Sequence, residues 1–208
     1  QVPAGAHIGI VGATGSGKST LLNLLMRFRD PTRGRILVDG VDLREISIDT
    51  LRQRFGLVLQ DVHLFPGTLL ENLGGDSTAA RKALNDLDLQ DFSLDRILTE
   101  GGTNLSRGER QLLTFARALV SEPEILVLDE ATSAVDPETE ARVQSALKRL
   151  HTGRTTITVA HRLTTVRHCD YIYVLSHGEV VESGSHELLM QQQGVYATLS
   201  QIQRGASA

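Results

Sequence analysis

The chain has 208 residues, 40% hydrophobic and 22% charged, with 21 Lys+Arg against 25 Asp+Glu for a formal net charge of -4. That composition fits a globular chain large enough for one domain with a subdomain, and its acidic balance gives no reason to expect a nucleic acid as partner. No apolar run approaches the roughly 18 residues of a membrane span, the first residues do not read as a signal peptide, and Cys169, the single cysteine, has no internal disulfide partner.

In chain order, the first element is a short apolar run, "HIGIVG" at 7–12, which reads as a buried strand. A glycine-rich loop follows, and helical spacing runs from Lys18 to Arg29. "GRILVDGVDL" carries an Asp39-Gly40 turn signal between β-type runs and predicts an antiparallel hairpin. Residues 67–120 lean helical and form a candidate subdomain inserted into the sheet fold. Three more apolar runs read as parallel strands: "ILVLDE" at 125–130, "TTITVAH" at 155–161 and "YIYVLS" at 171–176. Between the first two of these lies a helix over Glu138 to Leu150, with Asp136 as N-cap and Pro137 at its first position. The closing "RGASA" reads as a frayed end. Strands alternating with helices give an α/β fold class with a mainly parallel sheet.

"GATGSGKST", Gly12 to Thr20, satisfies G-x-x-x-x-G-K-[ST] in a strand–loop–helix setting. Gly12, Gly15 and Gly17 permit backbone conformations that aim successive N–H groups at one anion, with Ala13, Thr14 and Ser16 between them. The helix start adds its positive end, Lys18 a full charge for the β- and γ-phosphates, and Ser19 a hydroxyl that can ligate Mg²⁺. This predicts a nucleoside triphosphate site. At the end of "ILVLDE", Asp129 and Glu130 point to opposite sides of their strand, so they need not share a role. Asp129 is a candidate for the Mg²⁺ shell and Glu130 for polarising an attacking water. His161 closes another apolar strand and could bond a γ-phosphate or that water.

Taken in order, these stretches resemble the nucleotide-binding domain of an ATP-binding cassette (ABC) transporter. The resemblance rests on the Walker A loop "GATGSGKST", the Q-loop "VLQDVHLFPGTLLENL" and the signature region "NLSRGERQLLTFARAL". Walker B "ILVLDE", the D-loop "SAVD" and the H-loop "AHRL" complete it. "GTLLENL" and "ESGSHELL...GVYATL" resemble the exporter type, whose cassette follows a membrane domain.

The resemblance implies a P-loop NTPase (RecA-like) core over 1–66 and 121–190. A small antiparallel β region, a helical signature subdomain over 67–120 and a C-terminal helix and tail over 191–208 would complete it. It implies ATP hydrolysis with Mg²⁺, with Gly12 to Thr20 on the phosphates and Gln60 sensing Mg²⁺ or the γ-phosphate. Glu130 would be the base and His161 the switch residue. Ser106 and Gly108 would meet ATP held by a second cassette, and Asp136 would lie at that interface. The implied partners are that second cassette and a transmembrane domain, at the cytoplasmic face of a membrane. An importer-type subunit and a cassette that binds ATP without hydrolysing it are the alternatives. A DNA-repair type would need a coiled-coil insertion that is absent between Thr20 and Ser106.

Three features depart from the family pattern. Only residues 1–11 precede Gly12 and none is Phe, Tyr or Trp, so the usual adenine-stacking aromatic is missing. That implies a chain beginning late, without the family's first strands or a membrane domain, and weak ATP binding. "TEGGTN" is shorter than the usual exporter pattern there. The signature reads "LSRGE" where the family has "LSGGQ". Ser106-x-x-Glu109 is a capping box, and Glu109 would put a carboxylate where a partner's γ-phosphate approaches. At about 8 Å and an effective dielectric near 20 that repulsion is roughly 2 kcal/mol. Such an asymmetry implies a heterodimer, with Arg107 offsetting the charge or crowding the approach.

Overall fold

The structure, a computed structural model, describes residues 1–59, 63–129, 137–160 and 162–205. It begins with β1 (His7–Val11) and α1 (Lys18–Leu25), then a hairpin of β2 (Leu37–Val38) and β3 (Val41–Asp42). Next come α2 (Ile48–Arg54), β4 (Phe55–Val58), β5 (Gly67–Thr68), α3 (Leu69–Asn72), α4 (Ser77–Asp86), β6 (Ile97–Leu98) and α5 (Arg107–Leu119). After β7 (Ile125–Asp129) and α6 (Pro137–His151) the chain continues as β8 (Thr155–Val159), α7 (Leu163–Val166), β9 (Tyr171–Ser176) and β10 (Glu179–Gly184). It closes with α8 (His186–Gln191) and α9 (Val195–Gly205).

Two compact units emerge: residues 1–55 with 155–208, and residues 56–154. In the first, β1 lies between β8 and β9 and runs parallel to both, with Ile10 opposite Val159 and Tyr173. β10 turns back antiparallel on β9. Beyond its first residue β1 is apolar on both faces, as a strand covered on both sides tends to be, whereas β8 also buries Thr156 and Thr158. Val11, Val166, Ile172, Val174 and Tyr196 share one buried cluster. The Asp39-Gly40 hairpin forms as expected. Both turn residues have positive φ (51° and 83°), the requirement of a two-residue turn that matches strand twist.

α1 stops four residues short of its expected end. Arg27 adopts φ 49°, and Phe28 N–H donates back to Asn23 O at 2.8 Å while Arg27 N–H reaches Leu24 O. That left-handed termination is held by the Arg27 guanidinium, which donates to the carbonyls of Leu43 (2.9 Å) and Ile46 (2.6 Å).

In the second unit, β7 neighbours β4. Leu84, Leu112, Phe115, Leu126 and Leu150 belong to its main core, each burial worth about 1.5–3 kcal/mol. The helical lean of 67–120 resolves into α3, α4 and α5 plus an unexpected ladder, β5 against β6. Asp76 caps α4 through Thr78 and Ala79 N–H, and Thr68 with Glu71 forms a capping box on α3. Among the described residues no helix is long and apolar enough to cross a membrane.

Candidate phosphate-binding site

The predicted loop occupies residues 12–17, between the end of β1 and the start of α1. Gly12 has no room for a side chain: a Cβ there would lie 2.3 Å from the Leu175 carbonyl oxygen and 2.6 Å from Ser16 Oγ. Gly17 caps α1 in the left-handed region at φ 105°, a conformation that favours glycine. Ser16 N–H closes a turn onto Ala13 O (3.1 Å), and Gly178 N–H donates to Ser16 O (2.9 Å), pinning the loop to the β9–β10 turn.

α1 has no side-chain cap and no acidic residue in its first turn. Its first N–H groups lack intrahelical acceptors by geometry, so this positive end is left for an anion. Lys18 is only 5% exposed. Its Nζ donates to Gly12 O at 2.8 Å and Ala13 O at 3.1 Å, and lies 3.5 Å from Ser16 Oγ. The ammonium therefore folds back over the loop. Ala13, Thr14 and Gly15 are exposed, as are Ser19 and Thr20 on the first helical turn. The nine predicted residues, Gly12 to Thr20, lie on this loop and the first turn of α1. Uncapped donors and a lysine above them fit a polyphosphate.

Asp129 is the last residue of β7 and is half-buried in the second unit. Gln60, Glu130, Asp136 and His161 lie outside the described residues. Beyond Gln60, the backbone at His63 is held by α5: Arg117 Nη1 donates to His63 O at 2.7 Å. Burial lowers the Arg117 pKa.

At the signature, Ser106 is the N-cap of α5 and the capping box is complete. Ser106 Oγ accepts from Glu109 N–H at 3.1 Å, and Ser106 N–H donates to Glu109 Oε2 at 2.7 Å. The other oxygen, Oε1, pairs with Arg96 Nη1 at 2.9 Å. Burial by itself raises the Glu109 pKa, but the Ser106 N–H and the Arg96 guanidinium outweigh it and hold the carboxyl below its ordinary range. The charge expected to face a partner's γ-phosphate is thus partly offset within the chain itself, by Arg96 rather than by Arg107. Arg96, thirteen residues upstream, supplies the missing cation, and no short sequence pattern links the two.

Arg107 is exposed and has no partner among the described residues. Gly108 is buried, and a Cβ there would lie 1.8 Å from Thr139 Cγ2. Its glycine is thus required by the packing of α5 on α6, a role that sequence reading missed. Within the second unit, Arg96, Arg117 and Thr139 are brought to the signature helix and the His63 segment only by the fold.

The family model described as ABC transporter matches residues 1–133. The chain is 43% identical over 213 residues to the ABC transporter ATP-binding protein YfiC of Bacillus subtilis, covering 97% of this chain and 35% of that protein. It is 46% identical over 213 residues to an ATP-dependent lipid A-core flippase of Neisseria meningitidis, covering 97% of this chain and 34% of the flippase. The structure of a bacterial Atm1-family ABC exporter with ATP bound superposes with a TM-score of 0.87 at 40% identity, over 97% of this chain and 37% of the exporter's. The chain thus spans about a third of the length of these relatives. Together with the phosphate loop built from β1 and α1, agreement of this extent means that the chain belongs to the ABC transporter family, as an ATP-binding domain.

Proposed function

We propose that this domain binds and hydrolyses ATP to drive an exporter at the cytoplasmic face of a membrane, closing head to tail with a second cassette around the nucleotide. The observation that carries the reading is the loop itself: an uncapped helix start with Lys18 folded over it. The exporter relatives support the direction of transport. In this reading the N–H groups of residues 15–20 orient the triphosphate. Lys18 exchanges carbonyl partners for phosphate oxygens, which it binds as a charge rather than a dipole. Ser19, Asp129 and Gln60 are the Mg²⁺ ligands that the family resemblance implies, and the ion would neutralise charge developing on the β- and γ-phosphates. The exposed Ser19 hydroxyl and the acid ending β7 are oxygen donors of the kind that ion takes.

Glu130 accepts a proton from the attacking water, and His161 holds the γ-phosphate or that water. Ser106 and the α5 start close the site of the second cassette, where Gly108 brings the backbone near the phosphate and Asp136 lines the interface. In this reading Arg96 offsets Glu109 and the exposed Arg107 adds a positive charge at that contact. Phosphate release by wild type and Glu130→Gln, each in its full-length protein, tests the catalytic assignment. We expect a loss of at least about a hundredfold with ATP binding retained. Equal rates defeat the role of Glu130.

A further inference from the structure

The β9–β10 hairpin touches the phosphate loop at both of its ends. β9 runs parallel to β1 with Val11 opposite Val174, so the residues that follow the two strands leave the sheet at the same edge. At the start of the loop, a Cβ on Gly12 would lie 2.3 Å from Leu175 O. At its end, a Cβ on Gly17 would lie 3.3 Å from Gly178 Cα.

A loop that turns its N–H groups toward an anion turns carbonyls the other way, and those that are buried need donors. Gly12 O and Ala13 O receive Lys18 Nζ. Ser16 is buried, and its carbonyl is served from outside the loop, by Gly178 N–H at 2.9 Å. The peptide joining Ser16 to Gly17 is trans and planar, so its N–H points opposite to its C=O. A carbonyl held against the hairpin therefore turns Gly17 N–H away from it. That N–H makes no hydrogen bond among the described residues.

A tight turn delivers the donor. His177 and Gly178 are its two central residues, with φ 51° and 83°, and Ser176 pairs with Glu179 across it. The Asp39-Gly40 turn has the same pair of angles, and a Cβ at Gly40 or at Gly178 would meet open space. The two hairpins are matched in backbone and differ in that Gly178 reaches the phosphate loop.

We propose that Gly178 is a positioning residue for the phosphate loop: through Ser16 O it fixes the peptide whose N–H, at Gly17, is offered to the bound phosphate. The inference rests on the reading of Gly12 to Thr20 as the triphosphate site. When Lys18 leaves its carbonyls for phosphate oxygens, the bond from Gly178 stays, because it lies on the side of the peptide away from Gly17 N–H.

The test uses the full-length protein, with ATP binding measured without Mg²⁺, melting temperature, and amide exchange at Gly178 and Gly40. Gly178→Ala and Gly40→Ala impose the same left-handed strain, so both should lower the melting temperature by similar amounts. Only Gly178→Ala should weaken ATP binding, by about tenfold, the effect of misaligning one hydrogen bond to a charged group. Asparagine tolerates the left-handed region and keeps the N–H in place, so Gly178→Asn should bind within about twofold of wild type. In wild type the Gly178 amide should exchange more slowly than the Gly40 amide, a reading that needs no variant to fold. Wild-type affinity in Gly178→Ala beside lost binding in Lys18→Ala overturns the inference and leaves the triphosphate reading standing. Equal weakening in Gly40→Ala and Gly178→Ala overturns it as general turn strain. Failure of Gly178→Asn to recover binding, or exchange at Gly178 as fast as at Gly40, overturns it as well. Undiminished binding in Lys18→Ala removes the reading and the inference together.

Discussion

Gly108 offers a direct measure of how the signature helix is built. Gly108→Ala places a Cβ 1.8 Å from Thr139 Cγ2, where carbon atoms settle at about 3.5–4.0 Å. Roughly 2 Å of separation must come from movement of α5 or α6, or from Thr139 switching between the two χ1 wells open to a helical threonine. Overpacking of this kind costs about 1–3 kcal/mol, and so short a contact belongs near the top of that range. Alanine's better helix propensity returns at most about 1 kcal/mol. The net loss is near 2 kcal/mol, or about 4–8 °C in melting temperature for a chain of this size. Thr139→Ser removes the offending methyl and keeps the hydroxyl. On the wild-type background it should cost no more than the about 0.5–1.5 kcal/mol of a fully buried methyl, since Thr139 is half-buried. On the Gly108→Ala background it should stabilise. Thermal and urea denaturation of the four proteins closes the cycle. If Thr139→Ser destabilises both backgrounds equally, the two side-chain positions are not coupled and the packing explanation of Gly108 is wrong. Recovered stability without recovered ATPase would assign the glycine a second duty at the partner's phosphate.

The Arg96–Glu109 pair makes stability depend on pH in a defined direction. Because the folded-state pKa of Glu109 lies below its unfolded value, its contribution is complete above the unfolded pKa of about 4.3 and disappears as pH falls through the folded one. Wild type should therefore exceed Glu109→Gln by about 0.2–1 kcal/mol at pH 7, the range for partly exposed ion pairs, with the gap closing below about pH 4. A gap that persists at pH 3 in urea titrations removes charge as its cause. Arg117→Ala deletes the donor to His63 O and should speed amide exchange over residues 63–66 and lower kcat, with only a small change in melting temperature. Unchanged exchange and turnover would show that this bond does not support the Q-loop.

Much of the site was legible because its signals are local. The four apolar runs all became strands, and the phosphate loop sits between β1 and α1 where the motif requires it. The Asp39-Gly40 turn and the Ser106–Glu109 capping box follow from residues within three positions of each other, so the backbone has few alternatives. The Thr68–Glu71 box had the same signal and went unread. The overrun of α1 has a different origin: periodicity continues to Arg29, but Arg27 is drawn to carbonyls 16 and 19 residues away. The β5–β6 ladder was hidden because two residues carry no detectable alternation.

What escaped the sequence shares one physical form. Arg27 and Arg117 each lie on or at the end of a helix and send a long polar side chain to the backbone of a separate segment, at separations of 16 to 54 residues. Loops that carry chemistry cannot satisfy their own peptide groups with a regular ladder, because their conformation is set by the ligand they approach. Neighbouring helices supply the missing partners instead. Such partners have no fixed spacing, so a motif can identify the reacting residue without revealing what aims it. Glu109 illustrates the consequence. Its motif fixes the helix cap, while the charge it presents depends on Arg96, a residue outside the motif altogether. Variants of the supporting residues should accordingly alter turnover and local exchange while leaving every recognisable motif intact.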